Sequence, residues 1–266
     1  MRNTSNNPAL TRIPAFADAN RTVGFGPGPQ TSADPIEQAY FGPTATSRDT
    51  GRMTVEDVTV RTAILLAVLV ATAAFTWFSG LEGLAFPAAL VGLGLGLFIS
   101  FKQSTNPVPI LAYAAVEGVF LGGISKVFND AYDGIVVQAV MGTVAVAAAV
   151  LFMYRSGKIR VTPQFTKMVI GATIGYVVLL LVNLVASLVH SGGLGLFSGG
   201  PISMLIAVFA IGLASLNLVL DFDFIQRGAA QGLPERYGWL AAFGLLVTLV
   251  WLYIEILRLL SYLNRR

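Results

Sequence analysis

The sequence lacks cysteine and contains a single histidine, His190. The missing thiols exclude disulfide bonds, cysteine-based zinc or iron–sulfur sites and a thiol nucleophile. Charged residues are also scarce, at 12 % of 266 residues, where soluble domains carry about 25 %. Hydrophobic residues make up 55 % of the chain, and the mean hydropathy is +0.72. A soluble globule of this size cannot bury so much apolar surface, so we predict a polytopic membrane protein.

The N-terminal segment differs in composition from the rest of the chain. Residues 1–55 contain six of the twelve prolines, and residues 1–58 carry five arginines against six acids. No helical or strand period runs through this segment, and no apolar stretch typical of a signal peptide follows the early arginine. The composition therefore predicts two parts, a disordered polar arm over residues 1–55 and a transmembrane domain over residues 56–266.

Seven apolar stretches follow the arm, and each is close to the roughly 20 residues that a helix needs to cross a bilayer. The stretches are continuously apolar and do not alternate, which favours helices over a β-barrel. We therefore predict an all-α fold of about seven transmembrane helices. The predicted spans are 59–79, 81–101, 108–127, 135–154, 166–190, 201–222 and 237–263.

The distribution of basic residues predicts the orientation of these spans. With the N-terminus in the cytoplasm, thirteen lysines and arginines fall on the cytoplasmic side and four fall outside. This asymmetry favours a multi-pass protein of the cell membrane with a cytoplasmic N-terminus. The basic C-terminus, Asn264–Arg266, then lies outside, contrary to the tendency of lysine and arginine to lie on the cytoplasmic side. Either it is a tolerated exception or the last segment does not cross completely.

Three acidic residues lie within the predicted spans: Glu117, Asp221 and Glu255. A charge inside a span costs several kcal/mol unless it is paired, hydrated or neutralised. Two carboxyls close together in a low dielectric tend to share one proton, which would make a pH-controlled latch on a cation path. The alternative is that each acid is paired and only stabilises the bundle. Asn217 shares the helix face of Asp221, and Arg258 shares that of Glu255.

Glycines at helical spacing indicate close helix packing in two of the predicted spans. Gly92, Gly94 and Gly96 lie in the second span, and Gly171 and Gly175 lie in the fifth. Packing inside the bundle is the interpretation that we favour over a dimer interface. His190, at the end of the fifth span, is interpreted as an interfacial residue.

Four sequence elements stand out: MTVEDVTVRT (Met53–Thr62), AAVEGVFLGG (Ala114–Gly123), LVLDFDFIQRG (Leu218–Gly228) and LYIEILRLL (Leu252–Leu260). Together they resemble the transmembrane Bax-inhibitor-motif family, in its bacterial, actinobacterial branch. The second is similar to the Glu-Gly-x-x-Leu-Gly element of bacterial members, and the third to an Asp-Thr-Gln-x-Ile segment. The fourth is similar to a Leu-Tyr-x-Asp-x-Ile element of the last helix.

The resemblance implies two three-helix layers around a central C-terminal helix. It also implies a pH-sensitive calcium leak controlled by Asp221 and Glu255, which would be the residues that meet the calcium ion. The family places a basic residue of the second helix near this pair, and Lys102 is the candidate here. The chain departs from the family in having Glu255 in place of Asp, and Phe222-Asp223 in place of Thr-Gln.

Three functions follow as alternatives. The first is a proton-gated cation leak channel, with calcium as the expected ion and the lipid bilayer as the surroundings. The second is a non-transporting membrane regulator that binds a membrane protease or stress protein. The third, an intramembrane enzyme, is disfavoured because the chain has no His-Glu-x-x-His motif, serine-protease motif or phosphate-binding loop. We expect no enzymatic activity, no cofactor and no nucleic-acid partner.

Overall fold

The structure is a computed structural model that describes residues 51–189 and 193–265. The predicted arm up to residue 50 and His190 lie outside the described residues. Seven long helices are present in the described ranges, and all are long and apolar enough to cross a membrane. The all-α polytopic fold predicted from the sequence is thus confirmed. The helices are α1 (Val55–Phe78), α2 (Ala85–Lys102), α3 (Pro107–Ala131), α4 (Ile135–Arg155), α5 (Pro163–Val189), α6 (Pro201–Ala230) and α7 (Tyr237–Asn264), with a 3₁₀ turn at Glu82–Leu84 before α2.

Local capping chemistry fixes where the helices begin. Thr54 precedes α1 and forms a capping box with Asp57: the Asp57 amide donates to Thr54 Oγ1 at 3.0 Å, and the Thr54 amide donates to Asp57 Oδ2 at 3.2 Å. Prolines occupy the first turns of α3, α5 and α6, where an amide hydrogen has no partner inside the helix.

The end of α6 differs from the prediction. Hydropathy placed the end of the sixth span at residue 222, whereas α6 continues to Ala230. The extra turns combine the buried Ile225 with polar residues, and an ion pair between Asp223 Oδ2 and Arg227 Nε at 2.8 Å stabilises them within the helix. A hydropathy pattern reports where the apolar stretch ends, and a helix can extend beyond that point.

Helix α7 occupies the centre of the bundle. It contacts α1 and α3 on one side and α4 and α6 on the other, while α1–α3 and α4–α6 form two groups of three. In its most apolar 18-residue window, 56 % of the residues are buried, against 11 % in α2 and α5. The outer helices therefore expose apolar surface that suits lipid, and α7 meets mainly protein.

The two ends of the bundle are distinguished by their connections. The end named here for Glu235 holds the α4–α5 and α6–α7 connections, and Arg227 Nη2 donates to the Val161 carbonyl there at 2.9 Å. The end named for Arg265 holds the α3–α4 and α5–α6 connections. There Arg265 Nε donates to the Tyr132 hydroxyl at 3.1 Å, and the Tyr262 hydroxyl donates to the Phe197 carbonyl at 3.2 Å.

Glycines allow α3 to approach both α1 and α2. Gly118 and Gly122 of α3 lie directly against the α1 backbone, where a Cβ atom on Gly122 would be 2.8 Å from Ala73 Cα. Gly92 and Gly96 of α2 pack against α3, as the sequence predicted. The prediction fails for Gly94, Gly171 and Gly175, since a Cβ atom on any of them would meet no other atom within 4 Å among the described residues.

Candidate functional site

Glu255 is the most deeply buried acidic side chain in the described part of the chain, with 1 % of the residue exposed. Its Oε1 atom accepts three hydrogen bonds. The Tyr176 hydroxyl of α5 donates at 2.7 Å, Trp251 Nε1 at 3.2 Å and Arg258 Nη2 at 3.2 Å. Its other oxygen, Oε2, has no hydrogen-bond partner within residues 51–189 and 193–265.

These four side chains form one cluster, referred to here as the Glu255 cluster: Tyr176, Trp251, Glu255 and Arg258. The Tyr176 and Trp251 rings stack with centroids 5.7 Å apart. The Arg258 guanidinium lies over the Phe197 ring, 5.1 Å from its centroid. The cluster joins α5 to α7 and neutralises a buried carboxylate, and it contains the Glu255–Arg258 pair that the sequence predicted from their shared face.

Asp221 of α6 occupies a different setting. It is half-buried, and its Oδ2 atom accepts a hydrogen bond from Thr248 Oγ1 of α7 at 2.6 Å. A Cβ atom on Gly244 would lie 3.5 Å from Asp221 Oδ1, so the carboxyl rests against the α7 backbone. No ion pair is formed by Asp221 with any described residue. Asn217 is one turn away but donates to Thr173 Oγ1, at 2.8 Å.

The expected contact between Asp221 and Glu255 is not found. Asp221 bonds to Thr248, which precedes Glu255 on α7 by seven residues, or about 10.5 Å along the axis. The reason is the length of α6: because it continues for nine residues after Asp221, the carboxyl lies inside the bundle, alongside the middle of α7. The two carboxyls therefore have separate partners and share no hydrogen bond.

Glu117 and Lys102 lie away from both of these carboxyls. Glu117 is 9 % exposed, and its Oε2 atom lies against Gly92 of α2, where a Cβ atom would be 2.6 Å from it. Lys102 lies over the ring of Phe98 in its own helix, with Nζ 5.2 Å from the centroid. In the described ranges, neither residue forms a hydrogen bond or ion pair with Asp221 or Glu255.

Two polar contacts of α7 and the segment before it escaped the sequence analysis. Arg61 of α1 pairs with Glu235 in the α6–α7 connection and lies over the Trp239 ring, 5.3 Å from its centroid. Ser125 and Tyr253, both buried, are joined by a hydrogen bond of 2.6 Å between α3 and α7. The two residues of each contact are more than 100 positions apart in the sequence, so no local sequence pattern could predict the contact.

The acids do not form a preassembled metal site in the described ranges. No three histidine, cysteine, aspartate or glutamate side chains converge there. Glu255 Oε1 is surrounded by hydrogen-bond donors, whereas a calcium ion needs six to eight oxygen ligands. This arrangement is unsuited to a tightly held calcium ion, and it suits a carboxyl balanced by protein groups.

This seven-helix chain is similar to a known protein family. A family model described as Bax inhibitor 1 like matches residues 7–265. The chain belongs to the Bax inhibitor 1 like family. A search of curated proteins gave no match. The resemblance predicted from four short elements is thus confirmed, and the intramembrane acids of this Bax inhibitor family protein lie on α3, α6 and α7.

Proposed function

We propose that this Bax inhibitor family protein is a pH-sensitive cation leak channel of the cell membrane, with calcium as the expected ion. Asp221 is the observation that supports the proposal. It lies in an apolar helix, half-buried, with a neutral hydroxyl partner and no ion-pair partner in the described part of the chain. An uncompensated carboxylate in a span is costly, and it attracts a cation.

The two carboxyls of α6 and α7 take different roles in this proposal. Asp221 attracts the ion, while Glu255 has a guanidinium partner and holds α5 against α7 through the Glu255 cluster. Glu117, between α2 and α3, is a third acidic position along the bundle. This division replaces the proton-sharing pair that the sequence suggested, because each carboxyl has its own partners.

The sign of the pH dependence follows from Asp221. Its ionised form attracts a cation, and protonation removes that attraction. We therefore expect calcium flux to be several-fold greater at pH 8 than at pH 6. The measurement is calcium entry into liposomes that contain only the purified protein, followed with an enclosed calcium indicator.

Asp221→Asn tests the assignment directly. We expect this variant to have low flux with no pH response, and Glu255→Gln to retain the wild-type direction of the response. Asp223→Asn is the matched control, because Asp223 lies two residues away on α6 but is already paired with Arg227. Unchanged flux in Asp221→Asn, or equal losses in Asp221→Asn and Asp223→Asn, would refute the role of Asp221.

The absence of flux in the wild-type protein would favour the alternative function. A non-transporting regulator needs no ion path, and the Glu255 cluster would then serve only to stabilise the bundle. In either case we propose that the chain acts without an enzymatic reaction and without a cofactor. The reason is that its acidic side chains Glu117, Asp221 and Glu255 pack where one helix contacts another.

A cytoplasmic N-terminus is part of the proposal, and cysteine labelling tests it. Among the described residues, nine lysines and arginines lie at the Glu235 end and three at the Arg265 end, which favours the Glu235 end as cytoplasmic. The chain has no cysteine of its own. In intact cells, we expect a membrane-impermeant maleimide to label Asp133→Cys and to label Ser156→Cys only after permeabilisation. The reverse labelling pattern would show that the protein has the opposite orientation in the membrane.

A further inference from the structure

A cavity of about 420 Å³ lies at the Arg265 end, between α3, α5, α7 and the connection before α6. Its volume falls within the range of small-molecule sites. The α3 and α5 residues of its lining mix apolar side chains with the polar Asn183 and Ser187, and α7 contributes its two arginines. The lining includes Phe128, Leu180, Asn183, Leu184, Arg258 and Arg265.

The charge of the cavity has one sign. Arg258 and Arg265 are both in its lining, and none of its ten lining residues is acidic. Glu255, which pairs with Arg258 at 3.2 Å, is 1 % exposed and is not part of the lining. Arg265 is exposed, and its guanidinium also contacts the Tyr132 hydroxyl and the Ser198 carbonyl. A ligand entering the cavity therefore meets the positive charge of Arg265, since the charge of Arg258 is balanced by Glu255.

The position of the cavity indicates where its ligand comes from. Arg265 caps α7, and Arg258 lies six residues, or about 9 Å, before the end of that helix. On the α5 side, Leu184 is 57 % exposed on a helix whose surface suits lipid. The cavity thus joins a basic region at the interface to an apolar surface that runs into the bilayer.

We propose that this cavity binds an anionic phospholipid. The lipid phosphate pairs with Arg265 at the interface, whereas the charge of Arg258 is already balanced by Glu255. An acyl chain follows Leu180 and Leu184 along α5. Binding of this lipid does not depend on ion conduction, so the proposal can succeed or fail independently of the proposed function.

The test is ligand-dependent thermal stability of the full chain in detergent, followed by tryptophan fluorescence. The probes are dioctanoyl phosphatidylglycerol, dioctanoyl phosphatidylcholine and inorganic phosphate. A ligand that binds only the folded state raises the melting temperature, and the rise grows with the logarithm of its concentration relative to its Kd. We expect phosphatidylglycerol to stabilise the wild type at concentrations where phosphatidylcholine and inorganic phosphate have little effect.

Arg265→Gln is expected to weaken the effect of phosphatidylglycerol about tenfold, because it removes a hydrogen bond to a charged group. Arg236→Gln, an exposed arginine beside the other end of α7, is the matched control and keeps the wild-type response. Equal stabilisation by phosphatidylcholine, or an unchanged response in Arg265→Gln, would overturn the proposal. Equal stabilisation by inorganic phosphate would show a free-anion site and would likewise overturn it.

Discussion

Arg258→Gln is expected to lower the free energy of unfolding by about 3–5 kcal/mol, because it leaves a buried carboxylate without its cation. Glu255 is 1 % exposed, and Tyr176 and Trp251 would be its remaining hydrogen-bond donors in the Glu255 cluster. Neither of them carries a positive charge. The measurement is denaturant-induced unfolding of the purified protein in detergent, followed by tryptophan fluorescence.

The double variant Glu255→Gln/Arg258→Gln separates charge balance from packing. It removes both charges while keeping side chains of similar size, so we expect it to recover most of the stability that Arg258→Gln loses. Arg227→Gln is the matched control. It breaks the ion pair of the exposed Arg227 with the half-buried Asp223 and a hydrogen bond to the Val161 carbonyl, and we expect a loss of about 1 kcal/mol, smaller than that of Arg258→Gln. A double variant no more stable than Arg258→Gln would contradict the assignment of Arg258 as the balancing charge.

Gly122→Val is expected to destabilise the bundle by about 1–3 kcal/mol or more, because it inserts a side chain where α3 touches α1. A Cβ atom on Gly122 would lie 2.8 Å from Ala73 Cα and 2.9 Å from the Ala73 carbonyl carbon. Both are backbone atoms, so relief requires the two helices to move apart. The same unfolding measurement in detergent gives the size of this effect.

Gly94→Val provides the comparison for Gly122→Val. Gly94 also lies inside a transmembrane helix, but a Cβ atom there has no neighbour within 4 Å among the described residues. We expect its stability to stay within about 0.5 kcal/mol of the wild type. Equal effects of the two substitutions would show that the loss comes from helix propensity or lipid exposure, and would contradict the packing explanation.

The sequence predicted the identity of the important acids better than their arrangement. Glu117, Asp221 and Glu255 stand out because charge is rare in an apolar helix, and spacing alone paired Glu255 with Arg258. Those inferences are local. The missed partners, Tyr176 of α5 and Thr248 of α7, lie on other helices, and both residue types are ordinary in membrane spans.

By itself, the sequence determined the number of helices, their approximate bounds and the family, because hydropathy and short motifs act over one helix at a time. Only the tertiary structure decided the level along α7 at which the Asp221 carboxyl lies and the partners that surround Glu255. That level depends on the length of α6, which continues past its apolar stretch, and on the glycine contacts that set how closely helices approach. Asp221 consequently meets Thr248, and Glu255 meets Tyr176 and Arg258, about two turns farther along α7.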